Sequence, residues 1–250
     1  MKVGLSVSTR YILSHLEDET FREIQYLVVD TLREDIHQPD FSSQISTFEQ
    51  SMTDDDFLTI RTYSGFHFRD INAVLRGSWT YHYNGEMTEE KVREARMLGE
   101  DFSNLMTKFP PVPHSFSSYR GTTIEEFKKY GISTLQDLLQ IQDGFLYEEG
   151  FTSTSLEEDT CFFGKQIDDT FCNIKVQYII PALSQDGMPL LTDSLSYSKG
   201  QNEYVLNRGA LSKVLDVQVA NDTAFLKVLL IPKSVWDRGP KVDRMDQRQM

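Results

Sequence analysis

The sequence predicts an α+β fold: a helical N-terminal portion, then a strand-rich remainder. Three observations carry this. From Asp18 to Ile36 the apolar residues Phe21, Ile24, Leu27, Val28 and Leu32 recur near helical spacing, with charges between them. The same period returns from Met87 to Phe109 in Val92, Ala95, Met97, Leu98, Phe102, Leu105 and Met106. After residue 170 the pattern changes, and Phe171 to Ile180 alternates as a strand closed by Pro181.

The elements follow in order. Pro39 and Asp40 break the first helix, and Ile45 with Phe48 predicts another short one. The run Asp54-Asp55-Asp56 reads as a solvated acidic loop rather than a cap. Met97 and Met106 read as core packing. Pro110-Pro111-Val112-Pro113 ends the Met87–Phe109 helix and makes a rigid connection into a strand around Tyr119-Arg120-Gly121. Residues 124–141 hold one or two helices broken near Gly131, with Ser133 as an N-cap and Gln136 at N3. Gly144 and Gly150 bracket a turn into Phe151-Thr152-Ser153-Thr154-Ser155, and 156–166 is an acidic, then aromatic, loop. Further strands are predicted at 203–206, 214–219 and 224–231. The tail from Trp236 is charged and expected to fray.

The composition sets limits. The 250 residues make one large domain or two small ones, and 39% hydrophobic with 12% aromatic content is enough for a real core. A net charge of −13 argues against a broadly basic nucleic-acid-binding surface, though not against a local basic groove. Cys161 and Cys172 read as reduced, buried thiols. The histidines at 15, 37, 67, 82 and 114 have no ligand spacing, so no metal is expected. No apolar stretch is long enough to span a membrane. The first residues lack the apolar core of a Sec signal peptide. The chain is expected in the cytoplasm, or exported by a route without such a signal.

Three short stretches concentrate the chemistry: Tyr119-Arg120-Gly121-Thr122, then Ser153-Thr154-Ser155, then Gly200-Gln201-Asn202-Glu203 before the apolar run Tyr204-Val205-Leu206. In a strand, positions i and i+2 point the same way, so Gln201 and Glu203 would share one face. This ordered set resembles the Arg–Ser–Glu class of mono-ADP-ribosyltransferases. Its Gln-x-Glu is similar to that of the clostridial Rho-modifying exoenzymes and the pierisin group. The resemblance covers roughly residues 59–232, within one domain over 1–235 that a polar tail follows.

The resemblance implies two packed mixed sheets with a cleft for NAD between them. It makes Glu203 the residue that holds the ribose and stabilises an oxocarbenium-like cation, oriented by Ser153. It gives Arg120 mainly to NAD binding, although the same side chain could instead hold a strand pair together. It places Gly121 at the nicotinamide amide, where glycine admits close backbone approach. Asn72 and Arg76 would face the dinucleotide, unless Arg76 merely serves its helix end. Thr154 and Ser155 would line the same site. Phe162 and Phe163 could stack on nicotinamide, or one could be core, and Lys165 could reach a phosphate. Gln201, with Tyr197 upstream, would select the acceptor. An amide side chain both donates and accepts, so a non-arginine acceptor is expected: a protein side-chain amide or a nucleobase. The implied partners are NAD, that macromolecular acceptor and a possible antitoxin or inhibitor, in a bacterial or phage-related toxin or effector. NAD glycohydrolysis and a non-catalytic interaction module are the alternatives.

Overall fold

The computed structural model describes residues 18–77, 87–167, 170–192, 195 and 202–237. Among these, no helix is long and apolar enough to cross a membrane. The expected frayed tail beyond 237 lies outside the described residues.

Helix α1 spans Asp18–Arg33 and lies on one face of the sheet. Its inward stripe is Phe21, Ile24, Val28 and Thr31, packed towards Phe145, Ile179, Leu211, Leu229 and Ile231. Leu32, expected in the core, is instead 49% exposed. Thr31 takes the next inward position and turns its neighbour outward. Helix α2, Ser42–Ser51, buries Ile45 and Phe48 as expected.

The acidic run is not a loop. Asp54, Asp55 and Asp56 form the first turn of α3, Asp54–Thr62. Thr53 caps that helix: its side chain accepts from the Asp56 N–H at 3.2 Å, and its own N–H donates to the Asp56 carboxylate at 2.9 Å. Three carboxylates also suit the positive end of the helix dipole.

The chain kinks at Gly65, within Tyr63–His67, and leads into α4, Phe68–Leu75. Helix α5, Glu89–Met106, crosses α4 closely at Gly99, where a Cβ would stand 3.2 Å from Ile71. Met106 is fully buried, but Met97 is 60% exposed, because it falls on the outward face of α5.

The strands are β1 (Phe116–Thr122), β2 (Phe145–Glu148), β3 (Thr152–Ser155), β4 (Gln166–Ile167), β5 (Thr170–Phe171), β6 (Ile174–Ile180), β7 (Gly187–Leu190), β8 (Glu203–Leu206), β9 (Ala210–Ala220) and β10 (Thr223–Ile231). β4 and β5 form a small hairpin, and the other eight form one mixed sheet in the order β2-β9-β10-β6-β1-β3-β8-β7. The expected long strand from Phe171 is thus split, with Cys172 and Asn173 between β5 and β6. The short helix α6, Lys233–Trp236, closes the described chain.

The two expected sheets are therefore joined in one. The join is narrow. β1 pairs with β6 along its whole length, but with β3 only at Tyr119 opposite Ser155. A five-strand and a three-strand half meet at this seam. Both halves feed one core, where Phe116 of β1 and Tyr204 of β8 lie 5.1 Å apart and each touches Phe41.

Segment 124–141 forms two 3-10 helices, Ile124–Tyr130 and Gln136–Ile141, separated by Gly131 at φ +80. Ser133 is not the N-cap; Leu135 holds that position without a side-chain cap, and the turn before it is tied by Asp137. Asp137 accepts from the Ser133 and Thr134 N–H groups, and Thr134 Oγ1 accepts from the Asp137 N–H. An ionised carboxylate serves both amides better than Gln136 would. The stretch between Gly144 and Gly150, expected as a turn, contains β2, an edge strand on β9.

Candidate active site

Glu203 opens β8 and is paired in register with Ser155 of β3 and Leu190 of β7. Ser153 lies two residues back on β3. Desolvation pushes the Glu203 carboxyl above the ordinary range, while a hydrogen bond with Ser153 and the charge of Arg120 pull it back. Two of the residues singled out from separate stretches of sequence, Ser153 and Arg120, thus act on the carboxylate of the third, Glu203.

Arg120 is 21% exposed and bridges the seam. Its Nη1 donates to the Ser153 carbonyl at 2.8 Å, and its Nη2 meets Glu126 at 2.5 Å. Burial works against the Glu126 charge, but Arg120 outweighs it and holds that carboxyl below the usual range. Of the two roles open to Arg120, bracing the strands is the one that its contacts display.

Asn72 and Arg76 converge on the start of β3. Asn72 Oδ1 accepts from the Phe151 N–H at 2.7 Å, and Arg76 Nη2 donates to the Phe151 carbonyl at 3.3 Å. Arg76 also lies 3.7 Å from Glu148. A Cβ at Gly150 would stand 2.6 Å from Asn72 Oδ1, so a larger residue there would displace the Asn72 side chain. Each arginine expected to face NAD therefore has a carboxylate partner, Glu126 or Glu148. The sequence reading missed both, because neither belongs to a recognisable motif.

It also missed Tyr63 as a site residue. Tyr63 is buried, with its ring stacked on Phe102 at 3.9 Å. Desolvation and then Glu203 raise its pKa, and Asn72 and Ser153 lie beside its hydroxyl. No motif in the sequence marked it, because its neighbours Asn72, Ser153 and Glu203 reach it only in the folded chain.

Other expected contacts are taken up within the chain. The close approach at Gly121 is made by the protein itself: a Cβ there would stand 2.0 Å from the Phe163 backbone N. The Phe163 ring packs on Phe225 at 5.3 Å, with Lys175 over both rings. Phe162 is 48% exposed, with Lys165 5.9 Å from its ring. Thr154 Oγ1 donates to the Tyr204 carbonyl at 2.7 Å. Ser155 Oγ contacts Thr160 and accepts from the Glu157 N–H. Gln201 and Tyr197 lie outside the described residues. Both cysteines are free and buried, and burial raises Cys172. No cluster of three or more potential metal ligands occurs among the described residues.

The fold is that of known ADP-ribosylating toxins. C3stau2 of Staphylococcus aureus, solved with NAD, superposes with a TM-score of 0.59 at 15% identity, over 80% of this chain and 100% of that one. The Clostridium limosum C3 exoenzyme gives 0.58 at 19%, over 79% and 98%. The Vis toxin of Vibrio splendidus gives 0.54 at 16%, over 84% and 93%. No curated protein sequence matches significantly. The family model for the ADP-ribosyltransferase exoenzyme matches residues 41–233, most of the chain, and the protein belongs to that family.

Proposed function

We propose that this ADP-ribosyltransferase moves ADP-ribose from NAD to a side-chain amide of a protein, with Glu203 as the central catalytic residue. The observation that carries the reading is the convergence of Ser153 and Arg120 on the Glu203 carboxylate. Cleaving the nicotinamide–ribose bond leaves cationic charge on the sugar, as in glycoside cleavage. Nicotinamide departs neutral, so the need is for a fixed negative group beside the ribose and not for a proton donor. Glu203 supplies that charge, and Ser153 and Arg120 favour its ionised form. Tyr63 places a buried hydroxyl with no hydrogen-bond partner among the described residues beside Asn72 and Ser153. Asn72, Arg76 and Arg120 hold β3 at Phe151 and Ser153, and the two arginines present cationic groups for the dinucleotide.

Selection of the acceptor is assigned to Gln201, whose amide aligns another amide better than it aligns a guanidinium. The net charge of −13 favours a protein over a nucleic-acid acceptor. Incubation with labelled NAD and lysate, followed by separate protease and nuclease treatment, tests this. Label that resists nuclease and falls to protease is expected; the reverse would move the reading to a nucleobase. Glu203→Gln should abolish both transfer and NAD hydrolysis in a folded protein. Gln201→Ala should lose transfer and keep hydrolysis, and equal loss of both would remove Gln201 from acceptor selection.

A further inference from the structure

The two arginines at the cleft are not held alike. Arg120 meets Glu126 at 2.5 Å, a closed ion pair. The Arg76 side chain is 34% exposed, and its Glu148 partner stands 3.7 Å away, beyond hydrogen-bonding distance. A carboxylate so near a guanidinium ordinarily closes on it, often through two parallel bonds. Here Glu148 is drawn to the other side, by Lys129.

Lys129 Nζ donates to Glu148 Oε1 at 3.0 Å and to the Tyr147 carbonyl at 3.0 Å. It also lies 5.1 Å from the centre of the Tyr130 ring. The Tyr130 hydroxyl donates to the Tyr147 carbonyl at 2.8 Å and accepts from the Tyr147 N–H at 2.9 Å. β2 is an edge strand, so this hydroxyl stands in for the neighbour that the strand lacks. The Glu148 carbonyl accepts from the Gly209 N–H at 2.7 Å. The backbone of Tyr147 and Glu148 is thus fixed, and the Glu148 carboxylate is shared between two cations. That side chain is 18% exposed, so solvent screens the competition only in part.

We propose that Lys129 is a positioning residue that draws the Glu148 carboxylate away from Arg76 and so keeps that guanidinium open to the phosphates of the dinucleotide. This rests on the transferase reading above, which gives Arg76 to NAD. Without the lysine charge, Glu148 turns to Arg76, and the closed pair must then be broken each time NAD binds. The same 3-10 helix, Ile124–Tyr130, also holds Glu126, so one short element faces both arginines.

The test starts from Lys129→Met, which removes the charge and keeps the stem against Tyr130. It should raise both the Kd for NAD and the KM of NAD hydrolysis about tenfold, the scale of one charge-assisted bond. The kcat should stay within about twofold, and Lys129→Arg should bind NAD as the wild type does. Glu148→Gln by itself should shift the Kd by no more than about twofold. In the Lys129→Met background it should restore the Kd, because a neutral amide does not close on a guanidinium as a carboxylate does. Additive effects in the double variant would overturn the proposal, since Lys129 would then act by its own charge or its own contact with NAD. A lower kcat at unchanged KM would overturn it too. The crystal structure of Lys129→Met gives a reading that needs no NAD. A Glu148 oxygen should come within about 3 Å of the Arg76 guanidinium, and a separation still at 3.7 Å would refute the proposal. An Arg76→Ala variant that binds NAD as well as the wild type would instead remove Arg76 from the dinucleotide, and that crystal structure would still decide whether Lys129 restrains Glu148.

Discussion

Glu203 is asked to be ionised in a place that disfavours ions. Desolvation raises its pKa, and Ser153 and Arg120 offset only part of that rise. A carboxyl with a raised folded-state pKa contributes stability that is fully present below its unfolded value, about 4.3, and lost as pH climbs through the folded value. At neutral pH the ionised form is therefore a net cost to the fold. Glu203→Gln removes that cost while keeping a group that can bond to Ser153. Thermal unfolding should show a higher Tm than wild type near neutrality, converging on wild type as pH falls to about 4. A lower Tm at neutral pH would mean that the Arg120 attraction outweighs desolvation. If Glu203 acts as proposed, the same shift should place the acid limb of a pH–activity profile above that of an ordinary glutamate. Much of this residue-level pattern was legible in the sequence, because Arg120, Ser153 and Glu203 are each beside strand-like sequence and come in a characteristic order. Glu126, Glu148 and Tyr63 were not, because their roles come from side chains that meet only after folding.

At the scale of elements, legibility followed periodicity. α1, α5 and β10 have long, regular patterns and were placed closely. β2 and β7 were missed, since each has only four residues, and both faces of β7 are buried, which erases alternation. The acidic run was misread because three carboxylates look solvated until Thr53 and Asp56 are seen to cap one another. Gly121 shows the same limit: the sequence marks a close approach, and the structure shows that the approaching group is the Phe162–Phe163 backbone. Gly121→Ala must push that loop away, because 2.0 Å is far inside any tolerable carbon–nitrogen contact. The expected cost is about 1–3 kcal/mol, as for other overpacked sites. Hydrogen exchange across 161–165 should quicken with it. Unchanged exchange and stability would mean that the loop does not rest on β1 in solution.

For the whole molecule, the question is what keeps a five-strand half and a three-strand half together when one residue pair joins their ladders. The Arg120 bridge to the Ser153 carbonyl and the Lys233 N–H bond to the Asp186 carboxylate add further ties. The larger contribution is the shared core, in which Tyr204 is buried between Phe41 and Phe116 and a Cβ at Gly187 would collide with its ring at 2.6 Å. A core common to both halves makes them unfold together, even where their hydrogen bonding is sparse. Tyr204→Ala should cost about 3–5 kcal/mol, the range for emptying a large aromatic site. The loss should appear as a lower denaturant midpoint with an unchanged slope. In a Trp79→Phe background, tryptophan fluorescence from Trp236, beside Tyr147 in the larger half, should follow the same transition as far-ultraviolet circular dichroism. If the two probes separate, the β3-β8-β7 half opens by itself, and the seam beneath Glu203 would then be a hinge and not merely a narrow join.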